Sequence, residues 1–225
     1  MVKALKEFIR DVRVAMDTNY TMAVTDSDTL SYGDIIRSKI EEAVRRVHLA
    51  APIYLLDCGH NMGQGDEPEK AILWNEGGKS GRLKLPLDFL RLVVFKMTDW
   101  KRPVYLANAP EGRTYERQYS DYGGVRGTSA NPVCVLTMRP QGEYIEFYGC
   151  KSSAAKLEQA VYIPEPKITD EGGDEVIEVS THCYKSAVLM AAALTAITLG
   201  ESQRAQELMA LAQGDIKVNQ TKEGE

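Results

Sequence analysis

The sequence predicts an α+β protein: N- and C-terminal helices packed as a bundle, with an antiparallel β layer inserted between them. Three observations carry that expectation. Residues 3–16 and the stretch from Ser31 to Pro52 have apolar stripes at helical spacing, and so does the chain after Ser180. The middle of the chain instead alternates with period two. Helices, then strands, then helices in chain order point to segregated layers.

The first stripe is Leu5, Phe8, Ile9, Val12 and Met16, with Lys6, Glu7, Arg10, Asp11 and Arg13 between. Residues 17–29 are polar and irregular and predict a loop. Ser31 or Asp34 can cap a second helix whose stripe is Ile36, Ile40, Ala43, Val44 and Val47. Pro52 ends it, and Ile53, Tyr54, Leu55 and Leu56 read as a buried strand or extended segment.

Residues 57–82 hold six glycines and only one short apolar run, from Ala71 to Trp74. A loop of that length is usually functional or ordered by a partner. Strands are expected over residues 82–85, 90–97, 103–107, 131–139, 143–148 and 157–163. Pro140, Gln141 and Gly142 supply a turn that makes residues 131–148 an antiparallel hairpin. Glu165, Asp170, Glu171, Asp174 and Glu175 lie in a Gly-rich stretch expected to be a solvated loop.

After Ser180 the stripe is Tyr184, Ala187, Val188, Ala191, Ala192, Thr195 and Leu199, mostly small residues that let another helix come close. Gly200 marks a helix end, and a last helix carries Ala205, Leu208, Met209 and Ala212. The expected organisation is a helical bundle of residues 1–56 and 180–213, a β-rich insertion with long loops over 57–179, and a mobile polar tail over 214–225.

The chain has 225 residues, 44% apolar and 26% charged, with a formal net charge of −5. That length is enough for one sizeable core, or a core with a subdomain. A mildly acidic chain is a poor sequence reader of DNA, which is usually done with a basic patch. No apolar run reaches the roughly 20 residues needed to cross a bilayer. The first residues are charged throughout and do not form a signal peptide. Cys58, Cys134, Cys150 and Cys183 are far apart, form no C-x-x-C and read as free thiols of a reducing cytoplasm.

Catalytic patterns are sparse. Gly78-Lys79-Ser80 resembles the end of a phosphate-binding loop, but the glycine that motif needs five residues earlier is Leu73. Cys58, His60, His182 and Cys183 could supply two Cys and two His ligands for zinc, at spacings unlike those of a finger. His48 reads as an exposed helix histidine, and no G-x-S-x-G occurs. Tyr115, Tyr119 and Tyr122 interleave with Arg113, Arg117 and Arg126. That composition suits nucleic acid or a protein interface, and in an acidic chain the interface is favoured. The expected partner interface comprises Trp74, Tyr115, Arg117, Tyr119, Tyr122 and Arg126.

Three segments in order resemble the head–tail connector (adaptor) proteins of tailed bacteriophages, including those of phages and prophages of Bacteroidetes. The first is Ile-Arg-Ser-Lys-Ile-Glu-Glu-Ala-Val-Arg-Arg at 36–46. The second, and most specific, is Leu-Lys-Leu-Pro-Leu-Asp-Phe-Leu-Arg-Leu at 83–92, continuing to Trp-Lys-Arg-Pro at 100–103. The third is the Ala-rich run at 191–201 followed by residues 204–208. The insertion over 57–81 departs from the family pattern.

The resemblance implies a non-enzymatic virion protein without cofactor or metal. It implies a homo-oligomeric ring, commonly dodecameric, against the portal protein and a neighbouring tail or stopper protein. DNA would pass through its channel without sequence-specific contacts, and no membrane is involved. The alternative is a small cytoplasmic enzyme or metal-binding protein with a site in the 57–81 loop.

Overall fold

The computed structural model describes residues 1–16, 31–62 and 72–221, with side chains to Ile216. The loop expected over 17–29 and part of the long loop after Asp57 lie outside the described residues. The fold is α+β, with five α-helices and ten strands, all antiparallel within their sheets, among the described residues. The chain divides into two compact units, Met1–Cys58 with Glu165–Glu225, and Gly59–Pro164.

In the first unit β1 (Val2–Ala4) leads into α1 (Leu5–Ala15), and α2 follows (Tyr32–Ala50). Ser31 caps α2 reciprocally: the Asp34 N–H donates to Ser31 Oγ at 3.2 Å, and the Ser31 N–H donates to Asp34 Oδ2 at 3.1 Å. Two otherwise orphaned donors are satisfied, which fixes where the helix starts. Both stripes are inside, with Phe8, Val12, Ile36, Ile40, Val44 and Val47 fully buried.

The later segment supplies β9 (Ile168–Glu171), β10 (Asp174–Glu178), α4 (Tyr184–Thr198) and α5 (Ser202–Thr221). Helix α4 packs against α1, α2 and α5. It is apolar on nearly every side, and Ala187, Ala191, Ala192, Ala193 and Ala196 are fully buried. A methyl side chain is what lets helix axes come close. The Glu201 N–H donates to the Ala196 carbonyl and the Gly200 N–H to that of Ile197, with Gly200 at φ +84°. This is a Schellman stop, and it separates α4 from α5.

Four expectations are corrected in this unit. Ile53–Leu55 form a 3-10 turn where a buried strand or extended segment was expected, and only Leu56 is extended. The acidic stretch is not an irregular loop: β9 and β10 form a hairpin around Gly172 (φ +66°) and Gly173 (φ +94°), and β10 also pairs with β1. Residues 165–179 accordingly belong with the helices and not with the β-rich insertion. Helix α5 runs on through Gly214 where a polar tail was expected. Asp215 Oδ2 accepts from the Ser186 hydroxyl at 2.9 Å and Ile216 is buried, so tertiary contacts hold that turn.

The second unit contains two sheets. One has the order β2-β8-β5, from β2 (His60–Asn61), β8 (Leu157–Pro164) and β5 (Phe89–Met97). The other has the order β3-β4-β7-β6, from β3 (Ile72–Trp74), β4 (Ser80–Lys84), β7 (Gly142–Tyr148) and β6 (Val133–Arg139). The β6–β7 hairpin has the expected antiparallel pairing, with Arg139 opposite Gly142. Residues 72–84, read mostly as loop, are a hairpin. Residues 103–107 make only an isolated bridge, Val104 to Phe95, where a strand was expected.

One core joins the sheets: Phe95, Met97, Tyr162, Cys134, Ile145, Phe147 and Trp100 are buried together. The rings of Phe95 and Phe147 lie 5.6 Å apart, so each sheet contributes one half of a central aromatic pair. The proline-containing corner between β4 and β5 is fixed by Asp88, which accepts from the Tyr162 hydroxyl at 3.0 Å, and by Phe89, stacked on the same ring at 5.8 Å. Leu87, at the same corner, is fully exposed.

Candidate partner interface

The Tyr- and Arg-rich segment folds as a short helix, α3 (Arg113–Glu116), and two 3-10 turns (Arg117–Tyr119 and Gly123–Val125). A run of this composition has too little apolar surface to hold itself together, and two polar anchors fasten it. Gln118 is buried; its amide donates to the Thr114 carbonyl at 2.8 Å, and its Oε1 accepts from the Gly127 N–H at 2.8 Å. The second anchor is Glu146 of β7.

Glu146 is 4% exposed, a buried carboxylate on β7. Its Oε1 accepts from the Thr137 hydroxyl at 3.1 Å and from the Arg139 guanidinium; its Oε2 accepts from Tyr148 at 2.8 Å and Tyr115 at 3.3 Å. The Tyr119 hydroxyl donates in turn to that of Tyr115 at 2.8 Å. Burial pushes the Glu146 carboxyl up, but Arg139 and the hydroxyls outweigh it and hold the group below the usual carboxylate range. Burial and the adjoining hydroxyl and carboxylate push the phenols of Tyr115 and Tyr148 upward. The result is a satisfied polar network in which a neutral chain of tyrosines is tied to one ion pair.

The six residues expected to form an interface therefore separate into three situations. Trp74 on β3 is half-buried, its ring edge-on to Phe147 at 5.4 Å. Tyr115 is part of the Glu146 anchor. Tyr119, Tyr122, Arg117 and Arg126 face solvent, with Tyr119 64% and Tyr122 79% exposed. Tyr105, Leu106 and Val125, on the neighbouring segments of this unit, are exposed as well.

A cleft of about 680 Å³ opens beside Tyr119 and Arg126, walled also by Lys79, Ser80, Thr128, Tyr148, Gly149 and Lys151. Gly149 (φ +106°) makes the wall possible: a Cβ there would lie 2.6 Å from the Thr128 carbonyl oxygen. Three cations border the cleft, and no carboxylate is among its described lining residues. The sequence reading weighed Lys79 only as part of a phosphate-loop-like tripeptide and passed over Lys151, because a turn and the segment after β7, 72 residues apart, bring them together. Glu146 was visible as a charge flanked by Tyr144 and Tyr148, but alternation alone does not say that its face is covered.

The proposed metal ligands behave differently. Cys58 and Cys183 are buried in the first unit, while His60 belongs to the second unit, edge-on to Tyr162 at 6.1 Å. No group of three His, Cys, Asp or Glu able to hold a metal ion occurs among the described residues. His48, expected to be exposed, is 2% exposed, and its Nε2 lies 3.9 Å from Cys58 Sγ. Burial pushes the imidazole down to about 4 and the thiol up to about 11. Both groups are neutral at pH 7, the opposite of the thiolate–imidazolium pair that a cysteine nucleophile needs. No family model matches the chain, and no curated protein matches it. Among the described residues no helix is long and apolar enough to cross a membrane.

Proposed function

We propose that this chain is a structural subunit of a phage virion, the head–tail connector, in which copies form a ring beneath the portal around the DNA channel. The observation that carries this reading is the number of large apolar and aromatic side chains left in solvent on the second unit. Tyr105, Leu106 and Tyr122 lie on irregular segments, Tyr119 and Val125 on 3-10 turns, and Leu87 stands fully exposed within the Leu-Pro-Leu-Asp-Phe stretch. Exposed apolar surface of this kind, held on an anchored scaffold, suits docking to other proteins.

The three segments that resemble connectors fall on α2, on the β4–β5 corner, and on α4 with the start of α5. In this reading the helices form the bundle that packs side by side around the ring, and the β-rich unit reaches neighbouring virion proteins. The pairing of a neutral thiol with a neutral imidazole at Cys58 and His48 further favours a structural role over a cysteine enzyme.

Imaging of virions, or of the chain co-expressed with its portal protein, tests the reading. Density for this chain in a symmetric ring against the portal is the expected result. A particle with portal and tail from which this chain is absent, or measured turnover of a small-molecule substrate, overturns it.

A further inference from the structure

Charge is divided unevenly between the two units. Gly59–Pro164 carries 14 Lys and Arg against 12 Asp and Glu; the rest of the chain carries 13 against 20. A chain whose net charge is −5 thus contains a unit at +2 and a unit at −7. Each unit also presents a local group of its own sign. In the β unit it is the cleft bordered by Lys79, Arg126 and Lys151. In the helical unit it is the β9–β10 hairpin, where Asp170 and Glu171 are exposed at the two-glycine turn and Asp174, also exposed, pairs with Lys6 at 3.0 Å.

The two features match in form as well as in sign. Gly172 and Gly173 bear no side chains, so the hairpin end is narrow and its carboxylates flank the tip. The turn is ordered from within, because the Gly173 N–H donates to Asp170 Oδ1 at 2.9 Å. The cleft offers, besides its cations, the hydroxyls of Ser80, Thr128 and Ser129. Hydroxyls and cations together are what a carboxylate-bearing turn needs to replace its hydration.

We propose that the basic cleft of one copy receives the acidic β9–β10 hairpin of the next copy. The inference rests on the ring reading given above and names its contact. A contact between two different patches is heterologous, and repeated with closure it generates a ring. Charge complementarity at such a contact selects partner and register and makes it salt-sensitive.

Zero-length carbodiimide cross-linking of the full chain tests this, with equal parts of ¹⁵N-labelled and unlabelled protein mixed so that links between copies can be read by mass. Links joining Lys79 or Lys151 to Asp170, Glu171 or Asp174 between copies are expected at low salt. They should fall roughly tenfold at about 0.5 M salt, where the screening length shrinks to a few ångströms. A cleft variant (Lys79→Glu, Arg126→Glu, Lys151→Glu) should stop forming contacts with wild-type hairpins. A hairpin variant (Asp170→Lys, Glu171→Lys, Asp174→Lys) should likewise stop docking in wild-type clefts.

Mixing the two variants should restore the association, read as intermolecular pull-down of a tagged copy, and that rescue also shows that both are folded. Links only within a copy, links from the cleft to other carboxylates alone, or no rescue overturn the proposal. So does duplex DNA retained by the wild type and lost by the cleft variant without links between copies, which would make a phosphate backbone the occupant. A ring imaged with the hairpin away from the cleft removes this contact and leaves the connector reading standing. Links between copies of a chain absent from portal-containing particles do the reverse.

Discussion

The backbone N–H of Ser180 donates to Nε2 of His48 at 3.3 Å, tying the strand that leaves β10 to the buried face of α2. An acceptor nitrogen carries no proton, so in the neutral ring the proton sits on Nδ1. Burial, helped by the nearby N-terminal ammonium, disfavours the charged ring and keeps it neutral down to about pH 4.

Stability should therefore depend on pH through His48. The folded value lies below the ordinary histidine value, so between roughly pH 6.5 and pH 4 the unfolded chain binds more protons than the folded one. Stability falls as pH drops through that window, by about 3 kcal/mol if His48 acts alone. Urea unfolding at pH 7 and pH 4.5 measures it. His48→Phe should flatten this part of the profile, and an unchanged slope in that variant would assign the effect to other groups.

Asp57 adds a second acid limb. Burial raises its carboxyl, but the hydroxyls of Thr181 and Ser180 and the Thr181 N–H, at 2.9 Å, outweigh burial and bring it to about 2. Its contribution is complete above the ordinary aspartate value and is lost as pH falls from about 4 toward 2. Asp57→Asn should shrink the loss in that range and leave the limb above pH 4 in place.

Glu146→Gln should cost about 1–3 kcal/mol, because Arg139 loses its counter-charge and the tyrosine hydroxyls lose their strongest acceptor. Loosening of the 113–119 segment should accompany it, visible as faster amide exchange at Gly127. Tyr122→Ala, at a 79% exposed position, should change stability by under about 0.5 kcal/mol. Equal effects from the two substitutions would show that the Glu146 network anchors nothing.

Ala191→Leu should overpack the contact of α4 with its neighbouring helices and lower stability by about 1–3 kcal/mol, since Ala191 is fully buried. Ile40→Asp should cost several kcal/mol, enough to unfold a marginal domain, because it buries an unpaired charge. Full tolerance at either position, read from thermal unfolding, would contradict the burial.

Apolar patterning located α1, α2, α4, β5 and β8, and with the turn at Pro140-Gln141-Gly142 the β6–β7 hairpin, because such a pattern marks the residues that must leave water. Cap chemistry narrowed the start of α2 to Ser31 or Asp34 and marked the end of α4 at Gly200. The β9–β10 hairpin was read as a solvated loop, because the density of acidic residues hid the turn signal of its two glycines. What only the tertiary structure decided depends on partners distant in the chain. His48 looks like any polar residue on a helix until Ser180 and Cys58 close over it. Lys79, Arg126 and Lys151 share a cleft only because a hairpin turn, a 3-10 turn and the end of β7 converge. Local sequence encodes which face of an element avoids water; it does not encode which other element arrives to cover it, because that is set by contacts across the whole fold.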